Sequence, residues 1–415
     1  MSPTKLSLLA LTLSTSVFAA NPPYHKPEGY NVPGIRIRAD SRVALNIPSK
    51  SYFGLEDPLF LENQDILCTF LVYAGQVQSG IFRFSQELGS DALLTPAETF
   101  LSRPTIDPLT GDIVFEQLNY GYFSEGIMSL SSDFKSVRRS FYDRHYQFTS
   151  LPQSISPSKQ RVVVREEQSS AEGQGLSLLE NNGSVTELLE SSVRDPKSPY
   201  SYLFSHSAHA SGLVVLKVRH GRSGEISESQ GDEILLIDLR TTPFSVTSLM
   251  KDNDLDPSSI FKGFDNMGAL NANGDVSWIT RLKSGHRALV FKAFGKEPRV
   301  LVEEKLSEIS QFSNFHISMN ARSEIVFRAT DKAGLEGVWR TNAAGKLYSV
   351  VRQGDRLKTD QGAATVGVRG ENAATIFMSP QINNSGDILF GAFLTKSEDD
   401  RRDIGMGYFV VEPLQ

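Results

Sequence analysis

Three stretches of this sequence gather residues capable of chemistry: His206 and His209, three apart; Asp252, Asp254 and Asp256 at alternate positions; and a run of cations set among aromatics from Phe134 to Phe148. Each pattern carries a requirement. Paired histidines hold a metal only when their rings share a side, and on a strand residues three apart point to opposite faces. A turn or wall role therefore competes with a metal role for both. Alternating aspartates are the hard-oxygen pattern of a calcium loop, but Pro257 stands where the sharp-turn glycine belongs and no glutamate closes the loop. An EF-hand is excluded; a looser calcium site or a solvated acidic turn remains. Lys135, Arg138, Arg139 and Arg144 interleave with Phe134, Phe141, Tyr142, Tyr146 and Phe148. Such a stretch suits an anionic cell-envelope glycan or a protein partner, and equally an outer strand with charged edge residues.

The common catalytic signatures are missing. There is no Gly-x-Ser-x-Gly elbow, no His-Glu-x-x-His, no phosphate loop and no cysteine pair. The single cysteine, Cys68, has no partner for an internal disulfide and reads as a small buried hydrophobe. A net charge of −6 argues against nucleic acid as the main partner.

What must position these residues is a repeated phrase: an apolar residue, a turn closing on Gly, an acid, then a β-branched strand. It is clearest in Leu270-Asn271-Ala272-Asn273-Gly274-Asp275-Val276 and in Ile382-Asn383-Asn384-Ser385-Gly386-Asp387-Ile388. Looser copies begin at Met319, Ile106 and Ile155, and degenerate ones at His209 and Leu61. In register they give a column of Ile66, Ile113, Val162, Val214, Val276, Ile325 and Ile388. Two residues on, a second column reads Cys68, Phe115, Val164, Leu216, Trp278, Phe327 and Phe390. Strand side chains alternate with period two, so both columns lie on one apolar face that must be buried. A third column, from Ile81 and Ile127 to Val338 and Tyr408, opens another apolar run about a dozen residues later.

The repeat is thus strand, turn, strand, loop, strand and a variable fourth strand. Its anchors lie about 54 residues apart on average, near the 40 to 50 of propeller repeats. Four-stranded sheets of this length cannot bury their faces alone and stack radially. The expected fold is an all-β, seven-bladed β-propeller with four-stranded blades. The strand at Arg42–Ile47 is expected to complete the last blade, whose own strands stop at Val411. In such a ring the inner strands converge on a channel. Arg103, His206, Asp265 and His316, from four blades, would line one mouth of it. Long polar loops, Arg219 to Asp232, Arg356 to Asn372 and Ser397 to Asp403, supply further contact surface.

At the N-terminus, Lys5, the apolar run Leu6 to Phe18 and the small residues ahead of Ala20 fit a cleaved secretory signal over residues 1–20. Residues 21–33 form a Pro-rich extended leader, and 34–415 form one propeller domain, monomeric and not membrane-spanning. The expected location is the periplasm or the exterior.

Ser154-Ile155-Ser156-Pro157 leading into Arg161-Val162-Val163-Val164 resembles the turn before a strand in periplasmic TolB-type, WD40-like propellers. The Asn-x-x-Gly-Asp turns at Asn271 and Asn383 resemble tandem repeats of exported bacterial propellers. The resemblance spans residues 43 to 413 and implies the fold, export and, because such families include interaction scaffolds, a binding role; it carries over no catalytic residue. The leading expectation is a non-enzymatic binding scaffold. The alternative is a propeller enzyme, lactonase-like or a lyase, with its site at the channel mouth.

Overall fold

The β-branched residue that follows each repeat turn begins a strand that is buried almost throughout. Val276–Leu282 and Ile325–Asp331 each leave a single residue outside the buried class, and so does Leu213–His220. Such strands arise when a sheet is covered on both faces, and the apolar clusters show by what. Leu216 and Val214 pack with Leu176 and Leu178 of the preceding sheet, whereas Leu213 and Val215 pack with Trp278 and Val290 of the following one. Ile325 and Phe327 likewise face back to Leu289 and Phe291, and Val326 faces on to Ile388 and Phe390. The sequence columns mark only the backward face; the forward face is apolar at its start, as at Leu213, Val215 and Val326, and turns polar toward the other end of the strand.

The computed structural model describes residues 52–413, except 56–57, 74–76, 86–88, 95–99, 120–123, 142–152, 156–160, 168–172, 181, 223–229, 360–361, 368–374 and 397–402. Its strands pair antiparallel into seven sheets in chain order, and among the described residues there is no helix. The protein is an all-β propeller. Full burial of a large side chain is worth about 1.5–3 kcal/mol, and Trp278, Phe82, Phe115, Phe312, Phe327, Phe390 and Phe409 are among those wholly covered. Cys68 belongs to this interior, where burial pushes its thiol pKa up. The expected signal, the leader and the strand Arg42–Ile47 lie outside the described residues.

Two features depart from a simple four-strand repeat. First, the inner strand is broken in the middle: Phe100–Leu101 and Thr105–Ile106 both pair with Ile113–Leu118, and Phe261–Phe264 and Ala269–Leu270 both pair with Val276–Leu282. The first and sixth sheets repeat the break. Second, the seventh sheet carries an added strand, Arg356–Thr359, beyond its inner one.

Ring closure is direct. The Phe60 main-chain amide of the first sheet donates to Gln381 Oε1 of the seventh (2.9 Å), and Gln381 Nε2 donates back to the Pro58 carbonyl. Asn384 Nδ2 donates to Glu62 Oε1 (2.7 Å), and Gln64 Nε2 to Asp387 Oδ2 (3.1 Å).

The repeat turn explains its own composition. Two residues before the β-branched position the backbone is left-handed in every described copy: Gln64 (φ 66°), Gly111, Gly212, Gly274 (φ 83°), Ser323 (φ 57°) and Gly386 (φ 96°). Glycine takes this conformation without steric cost. The Asn side chain organises the rest: Asn271 Oδ1 accepts from the amides of Asn273 and Asp275 (3.0 and 3.1 Å), and its Nδ2 reaches Asp275 Oδ2.

Candidate functional site

The breaks in the inner strands hold the residues expected at a channel mouth. Arg103, Asp265 and His316 fall in the breaks of the second, fifth and sixth sheets, not at strand starts. His206 falls in the unbroken strand Tyr200–His209, where the register slips between Leu203 and His206. Their surroundings differ. Arg103 Nη2 donates to the Pro58 carbonyl (2.9 Å), tying the second sheet to the first. His206 is buried and His316 exposed. Asp265 pairs with Arg287 Nη2 at 2.6 Å.

Of the four, only Asp265 lines the cleft between the fourth and fifth sheets. This opening of about 200 Å³ is bordered by Arg219, Asp232, Asp252 and Asp254 on one side and by Lys262, Gly263, Phe264, Asp265, Arg281 and Arg287 on the other. Every strand end at the cleft belongs to one face of the ring, the face that carries the second-to-third-strand hairpins and the sheet-to-sheet connections. The repeat turns lie on the opposite face. The expected loop Arg219 to Asp232 springs from this cleft, with residues 223–229 outside the described set.

Beneath the cleft the charges are already matched. Arg219 holds Asp232 in a fork, Nε to Oδ1 at 2.6 Å and Nη2 to Oδ2 at 2.9 Å. Lys217, 3% exposed at its side chain, lies 3.5 Å from Asp232 and 3.6 Å from the Phe204 ring centroid. Its ammonium donates to the Phe264 carbonyl and to Asn266 Oδ1, both at 3.0 Å, so it crosses from the fourth sheet to the break of the fifth. Burial pulls the Lys217 pKa down to about 8, against the attraction of Asp232. Arg287 makes the next crossing by donating to the Phe312 carbonyl of the sixth sheet (2.7 Å). Burial of the Asp265 carboxyl raises its pKa, opposed by Arg287.

Two of the three aspartates, Asp252 and Asp256, spend their side chains on their own connection. Asp252 Oδ2 accepts from the Asp232 amide (2.6 Å), and its Oδ1 accepts from the Asp254 and Leu255 amides (3.1 and 3.2 Å). Asp256 Oδ1 caps Ser258 through its amide and hydroxyl. The preceding sheet does the same with a different residue, since Ser191 Oγ accepts from the Gln174 amide. Among the described residues no three His, Cys, Asp or Glu side chains form a metal-holding group.

The basic aromatic stretch is outer strand where it is described. Val137–Phe141 forms the rim of the second sheet, paired among the described residues with Ser124–Leu130 alone. Arg138 reaches Asp112 Oδ2 at 2.7 Å with 61% of its side chain exposed. Arg139 sits opposite Met128, and residues 142–152 lie outside the described set. Sequence reasoning missed Lys217, Arg219, Lys262, Arg281 and Arg287. The visible signal was the persistence of cations at the ends of strands that are otherwise apolar.

No protein-family model matches the chain, and no curated protein matches it significantly. Among solved structures it is similar to regucalcin, a calcium-binding protein of Agrobacterium tumefaciens, at 16% identity and TM-score 0.38 over 77% of this chain and 94% of that one. It is similar to putative TolB from the same organism at 11% identity and TM-score 0.39, over 78% and 94%. It is also similar to the Pyrococcus horikoshii acylaminoacyl peptidase at 12% identity and TM-score 0.48, where it covers 85% of this chain and 52% of the peptidase. These are likenesses of fold.

Proposed function

We propose that the chain is an exported binding scaffold, a propeller of seven blades with one sheet per blade, that holds its ligand at the cleft between the fourth and fifth blades. The strand Arg42–Ile47 completes the seventh blade, and residues 1–20 direct export to the periplasm or exterior. The observation that carries the binding role is the way the cleft is built. Asp232, Asp252 and Asp265 are each committed to Arg219, to backbone amides or to Arg287, which fixes the walls of a concave site and leaves no spare acid–base pair among them. A concave site walled by pre-set polar groups is suited to recognition.

Gly263 supplies the test, because it lines the cleft and a Cβ added there meets nothing within 4 Å. Gly263→Tyr should fill the cleft without altering its charge. The mature protein, Gly263→Tyr and Arg138→Ala would be immobilised and exposed to a cell-envelope extract, with retained components identified by mass. Retention by the mature protein and by Arg138→Ala, lost only in Gly263→Tyr, is the expected result. Loss only in Arg138→Ala would move the contact to the outer strand of the second blade, and loss in neither would remove the cleft from consideration.

A further inference from the structure

The fourth, fifth and sixth sheets place three positions side by side at the cleft-bearing face, and the fifth fills them differently. The first position is a bulge in the inner strand. In the fourth sheet it is Ser201, between the pairs Tyr200 with His220 and Tyr202 with Arg219. In the sixth it is Ser310, between Ile309 with Asp331 and Gln311 with Thr330. Both serine hydroxyls turn inward onto the neighbouring strand's carbonyls: Ser201 to Arg219 and His220, Ser310 to Thr330 and Asp331. In the fifth sheet the bulged residue, between Phe261 and Gly263, is the exposed Lys262. A bulge re-aims the side chain it carries, and this one is aimed at the cleft.

The second and third positions form a cross-strand pair. The fourth sheet sets Arg219 opposite Asp232, and the sixth sets Thr330 opposite Glu336. The fifth sets Arg281 opposite Arg287. Like charges directly opposite on a ladder are destabilising. Asp265 answers Arg287 at 2.6 Å, but among the described residues Lys262 and Arg281 have no hydrogen-bonded or ion-paired side-chain partner. Of the cleft's carboxylates, Asp232 and Asp252 are committed below it, and Asp254 is the one left exposed without a bonded side-chain partner. Two open cations and one open carboxylate therefore face a space of about 200 Å³, room for only a handful of waters at ~30 Å³ each.

We propose that Lys262 and Arg281 of the fifth sheet bind the oxyanion group of a small ligand, with Asp254 accepting a hydroxyl or amino donor from the same molecule. A guanidinium beside an ammonium offers the donor fork and point charge that carboxylates and phosphates recognise. The ligand class is a sugar acid, an amino acid or a phosphate ester of that size. This inference rests on the cleft reading of the preceding section and adds the chemistry of what the cleft takes.

The neighbouring repeat provides the variant. Lys262→Ser with Arg281→Thr installs the residues of the sixth sheet at the same positions, so the fold is preserved by precedent within the same ring. Binding of glucuronate, inorganic phosphate and glucose to the mature protein would be titrated calorimetrically and by chemical-shift change. Glucuronate or phosphate should bind, glucose should not, and the double variant should weaken the oxyanion at least tenfold. Lys262→Arg should retain it. Preference for glucuronate or for phosphate separates a carboxylate from a phosphate ligand. Equal binding of glucose, unchanged affinity in the double variant, or no binding of either oxyanion would overturn the proposal. If Gly263→Tyr still abolishes retention from the extract while no oxyanion binds, the cleft stands and its oxyanion chemistry falls.

Discussion

Asn271 Nδ2 donates to the main-chain oxygen of Asn320 (3.2 Å), one sheet further round the ring, and Asn320 Nδ2 does the same to Asn383 (3.1 Å). In these two turns the residue that shapes the turn is therefore also the residue that hands it to its neighbour.

Removing one such side chain should cost more than a turn. Asn320 Oδ1 accepts from the amides of Arg322 and Glu324, and its Nδ2 also reaches Glu324 Oε2 (2.8 Å). Each buried group left unpaired costs about 1–3 kcal/mol, so Asn320→Ala should lose at least about 2 kcal/mol. Asn342 makes the same bonds within its hairpin, to the amides of Ala344 and Lys346. It is only half-buried, and Asn342→Ala should cost clearly less. Equal shifts in denaturant midpoint for the two variants would refute an inter-sheet role.

The left-handed turn position forbids a β-branched residue. In Gly274→Val the new side chain would meet Phe294 at 2.9 Å, and in Gly386→Val it would run into Arg322. Strain of this kind costs about 1–3 kcal/mol before any crowding. Both variants should show lowered denaturant midpoints; an unchanged midpoint in both would contradict the turn geometry.

The seventh sheet has an edge to be filled. Asp403–Val411 pairs with Ile388–Thr395 on one side and, among the described residues, with no strand on the other, although Tyr408 to Val411 are buried. If residues 42–47 supply the missing strand, deleting the chain through Ile47 should expose a pairing edge and promote aggregation. Deletion only through Asn31 should leave thermal stability and solubility intact. Indistinguishable behaviour of the two truncations would reassign the edge.

Lys217 gives a pH signature of definite sign. Its pKa falls from 10.5 to about 8 on folding. Between those values the unfolded chain binds more protons than the native one, so the contribution of this residue to stability increases as pH rises from about 8 toward 10.5. Relative to Lys217→Met, the parent protein should therefore gain stability between about pH 8 and about pH 10 in paired denaturation curves. A constant difference, or one that shrinks with pH, would mean that Lys217 is not desolvated.

The columns of Ile66, Ile113, Val214, Val276, Ile325 and Ile388, with their partners two residues on, were legible because a β-strand repeats every two residues and each is buried as expected. The left-handed position was legible only where it is Gly; Gln64 and Ser323 occupy it under disguise. The candidate site was harder to read. Asp265 stands out in sequence, but Lys262 and Arg281 acquire meaning only when strand register sets them beside Ser201, Arg219, Ser310 and Thr330. Bulges and cross-strand partners are properties of pairing, and a linear sequence does not display them. The aspartate triplet shows the converse: the spacing read as calcium-like also serves a connection in which Asp252 and Asp256 cap its amides.

Among the described residues the asparagine relay occupies only part of the ring. It links the fifth, sixth and seventh sheets and passes to the first through Glu62 and Gln64, whereas Asp107 and His209 spend their turn contacts on Leu109, Thr110 and Ser211 within their own sheets. On the face of the repeat turns the ring is thus bonded turn to turn along one arc, while the second and fourth sheets are tied to their neighbours elsewhere, through Arg103 and Lys217. Amide exchange at the repeat turns should therefore be faster at Gly111 and Gly212 than at Gly274, Ser323 and Gly386; equal protection would mean that the side-chain relay adds nothing to turn stability.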